Sequence, residues 1–299
     1  MQGVLGSVAP STLKAYSAAM ERFASFTWGV EKAGLLPPSE DQVLQYLAHL
    51  RVLGRAPRTM RRDLAAVSFF CKALGFHYPC RGFIPRRAVD GWARLSPPSP
   101  DGRRPISLPI LRRILDALPG RCWSSFEAQL FHTAFTIAFF GALRVGELVA
   151  GSRDDPSDRA IRLSDVSWSP RCVSFNIRRS KTDQRGRGVT LVLRAARPGA
   201  VCPVRAVGDY IDIRPSLQGP FLIHRDLSPL TRYQFTALLR SCLEAAGLPP
   251  LQFSTHSFRI GAATVAASIG MQDRDIMALG RWRSRAFRAY IRPGGAVGH

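Results

Sequence analysis

Lysine is almost missing from this chain. Of 42 basic residues, only Lys14, Lys32, Lys72 and Lys181 are lysines, so Lys181 is the one lysine in the last three quarters of the sequence. Acidic residues are also scarce: 21 against 42 basic ones, leaving a net charge of +21. Such an imbalance does not set a fold but argues for a polyanionic partner, nucleic acid first, because the charge is spread along the chain instead of gathered in a tail. Long apolar runs are absent. The most apolar stretch, Phe131 to Leu143, is broken by His132 and Thr136 and reads as a buried helix, not a membrane span. No CxxC pair occurs among Cys71, Cys80, Cys122, Cys172, Cys202 and Cys242, and no histidine lies near them at metal-ligand spacing. The start, Met1 to Pro10, lacks a basic region followed by an apolar one. Reduced thiols in an intracellular protein are therefore expected, without disulfide framework or structural zinc. No phosphate-binding glycine loop and no carboxylate cluster is present, so neither motif for nucleotide or metal-assisted phosphoryl chemistry is found.

What is present is enough for a core: 46% of residues are hydrophobic, and 299 residues suggest two domains. Apolar residues at helical spacing predict helices from Ser11 onward, from Ser39 as cap, over Thr59 to Leu74 and over Arg86 to Leu95. The third carries Arg58, Arg61 and Arg62 at its start, against the helix dipole, which a phosphate ligand would relieve. Residues 97–105 hold prolines, a glycine and two arginines and read as a linker. The expected organisation is a helical DNA-binding module over 1–96 and a larger mixed domain over 106–299. In the second, helices are predicted over Leu108 to Leu118, Ser125 to Phe140 and Arg144 to Val149. Alternating strands follow around Val166, Val173 and Val189, and Arg178 to Gly188 form a charged hairpin tip. Helices return at Val204, Thr231, Ser257, Asp273 and Ala286. The fold class is thus mainly α with a small antiparallel sheet.

Four segments carry chemistry. Ala142-Leu-Arg-Val-Gly-Glu-Leu148 holds Arg144 and Glu147; Thr255-His-Ser-Phe-Arg-Ile-Gly-Ala262 holds His256 and Arg259; Gly280-Arg-Trp-Arg-Ser-Arg-Ala-Phe-Arg-Ala-Tyr290 holds Trp282 and Tyr290; Lys181 sits on the hairpin. Singly, each has a plain explanation: a surface ion pair, a helix cap, core aromatics, a solvated charge. Arg55, Arg58, Arg61 and Arg62 before the linker, and Arg178, Arg179, Arg185 and Arg187 after it, are candidate contacts to DNA phosphates.

In this order the segments resemble the tyrosine recombinase (phage integrase) family. The resemblance spans the whole chain, with the N-terminal module similar to the family's core-binding domain. It implies that Tyr290 is the nucleophile, that Arg144, Lys181, His256, Arg259 and Trp282 are the other catalytic residues, and that Glu147 supports them. The run ending in Tyr290 most resembles recombinases of eukaryotic DIRS-type retroelements and their crypton relatives, where tryptophan often stands for histidine. That implies integration of a mobile element, a nuclear location, and a homotetramer acting on two DNA duplexes, with no cofactor, metal or membrane. Only Ile291 to His299 follow the tyrosine, where many members carry a longer tail, and Met1 lies close to the first helix; either end of the gene could be shortened. Against this stand a domesticated DNA-binding protein that has lost recombination, and a type IB topoisomerase, for which no swivel-like extra domain is evident. A histone-like or ribosomal protein accounts for the charge but not for the ordered motif.

Overall fold

A computed structural model describes residues 2–30, 36–76, 83–96, 101–155, 159–178 and 188–292. The chain divides into two compact units, Met1–Pro100 and Asp101–His299.

The first unit is helical: α1 (Gln2–Leu5), α2 (Pro10–Val30), α3 (Glu40–Val52), α4 (Pro57–Ala73) and α5 (Phe83–Leu95). Ser39 starts α3 with a reciprocal cap, its Oγ accepting from the Gln42 N–H and its own N–H donating to the Gln42 side chain. Phe23, Tyr46, Leu47, Leu50, Met60, Val67 and Val89 form the core. Inside it lies a carboxylate that the sequence pattern did not flag. Asp63 is fully buried and accepts from Arg22 at 2.8 Å and from the Tyr46 hydroxyl at 3.0 Å, joining α2, α3 and α4. A buried charge is tolerable only when paired and hydrogen-bonded in this way. The arginines at the start of α4 find local partners: Arg61 pairs with Asp90 at 2.8 Å and Arg62 with Asp63 at 3.4 Å. Arg55 and Arg58 are exposed.

The second unit is built round α7 (Ser125–Phe140), which is apolar on all sides and buried on most of them. It packs against α6 (Leu108–Ala117), α9 (Pro203–Ile213) and α11 (Ser257–Ser268). The short α8 (Val145–Leu148) follows α7, and α10 (Arg232–Ala245) packs on α6. Strands β1 (Val166–Trp168), β2 (Cys172–Ile177) and β3 (Val189–Arg194) form an antiparallel sheet in the order β1-β2-β3. Val173 pairs with Leu193 and Phe175 with Leu191; these four side chains and Ile177 point inward, on the side of α9. The Trp168 indole N–H donates to the Val204 carbonyl at 2.9 Å, and its ring lies so close to Gly208 that a Cβ there would sit 2.8 Å from it.

Two readings from sequence need correction in detail. The segment before Ile291 is a 3-10 helix over Arg285–Tyr290, not an α-helix. Residues 101–105, read as linker from their prolines, are part of the second unit, and Pro105 and Ile106 are buried there. The Arg104 N–H donates to the Gln252 carbonyl at 2.7 Å and the Ile106 N–H to the Ser257 carbonyl at 3.1 Å. Gly261 permits this approach: a Cβ at that position would lie 1.8 Å from the Ile106 carbonyl oxygen. The last α-helix, α12 (Asp273–Gly280), packs on α11 and on the 3-10 helix.

Candidate active site

At the end of α7 the chain turns through Gly141 and Ala142, the latter at φ +42°, a left-handed conformation rare for a side chain other than glycine. The turn points the Gly141 and Ala142 carbonyls at the basic residues of two other segments. Arg144 follows in extended conformation and caps α8. It and Glu147 are therefore a cap pair, not two side chains one turn apart on a helix. The Arg144 N–H donates to Glu147 Oε2 at 2.9 Å and its guanidinium to Oε1 at 2.7 Å.

Glu147 also accepts from Arg281, at 2.8 Å. Burial acts to raise the Glu147 pKa, but Arg281 and Arg144 together outweigh it and hold the carboxyl below its ordinary range. Arg281 is 6% exposed and donates further to the Gly141, Ala142 and Leu279 carbonyls. Sequence reasoning missed it. Its signal was its place immediately before Trp282, but one more arginine in so arginine-rich a chain stood out from nothing. Its left-handed backbone, φ +55°, ends α12 and turns the chain toward Trp282. Gly280 is required at that turn, since a Cβ there would meet the Trp282 ring at 1.7 Å.

Arg259, in the first turn of α11, is wholly buried. Its Nη1 donates to the Ala142 carbonyl and its Nη2 to Gly280 O at 2.8 Å. The guanidinium lies over the Trp282 ring, 4.5 Å from the centroid, and 5.8 Å from that of Tyr290. Burial first, then repulsion from Arg144 and Arg281, lower its pKa. Tyr290 packs with its ring centroid 5.1 Å from Trp282 and 4.9 Å from His256. Three buried donors, Arg259 Nε, Arg281 Nε and Trp282 Nε1, meet no acceptor among the described residues.

His256 occupies the cap position of α11, but its side chain makes no capping hydrogen bond. Burial, then the charges of Arg103 and Arg259, push it down from 6.5 to about 4, with Asp101 opposing and Arg144 adding to the effect. The imidazole is thus neutral at pH 7 and able to accept a proton. Because the folded pKa is depressed, His256 contributes stability that is complete above pH 6.5 and is lost as pH falls toward 4. We expect the thermal midpoint to drop over that range, and to drop less in His256→Gln. Parallel curves for the two proteins would show that His256 is not depressed.

The structure therefore brings Arg144, Glu147, His256, Arg259, Trp282 and Tyr290 together, and adds Arg281. Lys181, Arg179, Arg185 and Arg187 lie outside the described residues. Arg178 is engaged by Asp165, at 2.7 Å, and by Ser164 at 3.1 Å.

Known proteins resemble the chain in sequence and in fold. No family model matches it. An integrase/recombinase xerD homolog of Selenomonas ruminantium is 27% identical over 305 residues, covering 96% of this chain and 83% of the relative. Over nearly its whole length the chain is thus similar to an integrase/recombinase of the xerD type. Solved structures agree in fold. A XerH site-specific recombinase bound to palindromic difH substrate, in a post-cleavage complex, superposes with a TM-score of 0.67 at 14% identity, covering 93% of this chain and 75% of that one. A lambda integrase tetramer bound to a Holliday junction gives 0.63 at 16% identity, covering 95% and 75%. Among the tyrosine recombinases, the nearness to retroelement or crypton enzymes expected from the Trp282 run is not borne on by these comparisons, and the curated relative is bacterial.

Proposed function

We propose that this protein is a site-specific DNA recombinase that cleaves and rejoins strands through a 3′-phosphotyrosyl link to Tyr290. The observation that carries the reading is the packing of Tyr290 against His256 and Trp282 beside two arginines, with buried donors that have no acceptor of their own. A phosphodiester supplies such acceptors. Attack adds charge to its non-bridging oxygens, and the guanidiniums of Arg144 and Arg259 are suited to clamp them, with Trp282 donating its indole N–H. Neutral His256 takes the phenol proton as the Tyr290 oxygen bonds to phosphorus. The bond from phosphorus to the 5′-oxygen breaks, and Lys181, the general acid that the sequence suggests, gives that oxygen its proton. The phosphotyrosyl link retains the bond energy, so a 5′-hydroxyl attacking it in reverse rejoins the strand without ATP.

The partner is then double-stranded DNA. By the precedent of the lambda integrase tetramer, four copies would act on two duplexes. The exposed Arg55 and Arg58 are the better candidates for phosphate contacts in the first unit, since Arg61 and Arg62 already have carboxylate partners. A mobile-element role and a nuclear location rest on the Trp282-containing run alone.

The test is covalent capture of nicked random-sequence DNA on the full chain, followed by sequencing of the trapped ends. On a captured sequence, Lys181→Ala should cripple cleavage of an ordinary phosphodiester yet cleave a 5′-bridging phosphorothiolate almost normally, because sulfur leaves without a proton. Equal impairment on both substrates would remove Lys181 from the acid role.

A further inference from the structure

The segment that opens the second unit adds an arginine to the site. Asp101 accepts from Arg103 Nε at 2.6 Å and Nη2 at 2.9 Å, and from Arg292 Nη2 at 2.9 Å. Arg292 is two residues beyond Tyr290. Its N–H donates to Thr264 Oγ1 at 3.2 Å, and that hydroxyl reaches the Tyr290 carbonyl at 3.4 Å. One carboxylate thus ties Arg103 to the chain that carries the tyrosine, while the Arg104 and Ile106 backbone bonds fix the same segment to the start of α11.

Accessibility sets Arg103 apart. Arg259 is wholly buried, and the side chains of Arg281 and Arg144 are 6% and 23% exposed, whereas that of Arg103 is 43% exposed. Its charge nevertheless acts on both His256 and Tyr290. Its present partner is easily exchanged. The Asp101 side chain is itself 38% exposed, and an ion pair so open to water contributes little to stability. A phosphate offers the same two-oxygen match to a guanidinium, and Asp101 would keep Arg292 when Arg103 leaves.

We propose that Arg103 is a third arginine for substrate, binding a backbone phosphate of the strand that Tyr290 attacks, at or next to the cleaved position. This rests on the recombinase reading above. In the free protein Asp101 holds the guanidinium and Arg292, two residues beyond the tyrosine, on one carboxylate, and DNA takes the guanidinium over.

The experiment uses the full chain and a nicked duplex recovered by covalent capture from a random pool. Adduct formation is followed in a single turnover for Arg103→Ala, Arg103→Lys, Asp101→Asn and Arg292→Ala. Arg103→Ala should be slower by about tenfold or more, Arg103→Lys should recover part of the loss, and Asp101→Asn should lose clearly less than Arg103→Ala. A scan then places one neutral methylphosphonate at the cleaved position and at each neighbour. At one position the substitution should slow wild type but not Arg103→Ala. Equal losses in Arg103→Ala, Asp101→Asn and Arg292→Ala would mean that Arg103 only closes the clasp, and would overturn the proposal. So would identical scan patterns for wild type and Arg103→Ala. If wild type captures no DNA at all, the recombinase reading itself fails and this assignment goes with it.

Discussion

Tyr290→Phe should abolish the covalent DNA adduct while leaving DNA affinity nearly unchanged. The substitution removes one oxygen and keeps the ring that packs on Trp282 and His256, so the site should hold its shape. Loss of a sole nucleophile costs at least about 10⁴-fold in rate. The other tyrosines are poor substitutes. Tyr210 is fully buried, its hydroxyl is bonded to the Ile223 backbone, and burial pushes its pKa up to about 12. Tyr233 stands 80% exposed at the start of α10. Gel analysis of denatured complexes, with mass spectrometry of the adduct, checks the result. A phosphotyrosyl link on Tyr210 or Tyr233 in the variant would overturn the assignment.

Arg259→Lys should be nearly as severe, despite preserving the charge. A lysine ammonium cannot present a planar fork to phosphate. It also cannot serve both the Ala142 and Gly280 carbonyls and pack on the Trp282 ring, as the guanidinium does. We expect cleavage to fall by about 10²–10³-fold, the scale for losing one transition-state donor. The thermal midpoint should fall too, because Ala142 and Gly280 lose a buried donor. Arg144→Lys gives the contrast: Arg144 is partly exposed and its other partner is Glu147, so activity should fall with a smaller loss of stability. Near wild-type cleavage by folded Arg259→Lys would remove Arg259 from the phosphate clamp.

Much of the architecture was legible because it follows from local rules. Ser39 caps α3 as its place before Glu40 and Asp41 foretold, and the most apolar stretch of the chain lies mostly within buried α7. The alternation of Val173, Phe175 and Ile177 announces a half-buried strand. What was hidden depends on long-range pairing. Asp63 looks like any surface acid until Arg22 and Tyr46 close on it from other helices. Arg281 looks like one arginine among many until Glu147 meets it from 134 residues away. Residues 101–105 have the composition of a linker, and only the Arg104 bond to Gln252 and the neighbouring Ile106 bond to Ser257 tie them into the second unit. The order of motifs predicted which side chains assemble round Tyr290. It did not reveal that Arg259 would be covered by Trp282.

Three arginines, Arg144, Arg259 and Arg281, face a single carboxylate, Glu147, and two of the three are almost wholly out of water. Folding this unit therefore concentrates like charge that the unfolded chain keeps apart. An anion seated among these groups relieves that repulsion only in the folded state. By linkage, it then acts as a stabilising ligand of the fold as well as a substrate. A phosphate held among these arginines would therefore raise the thermal midpoint of this unit.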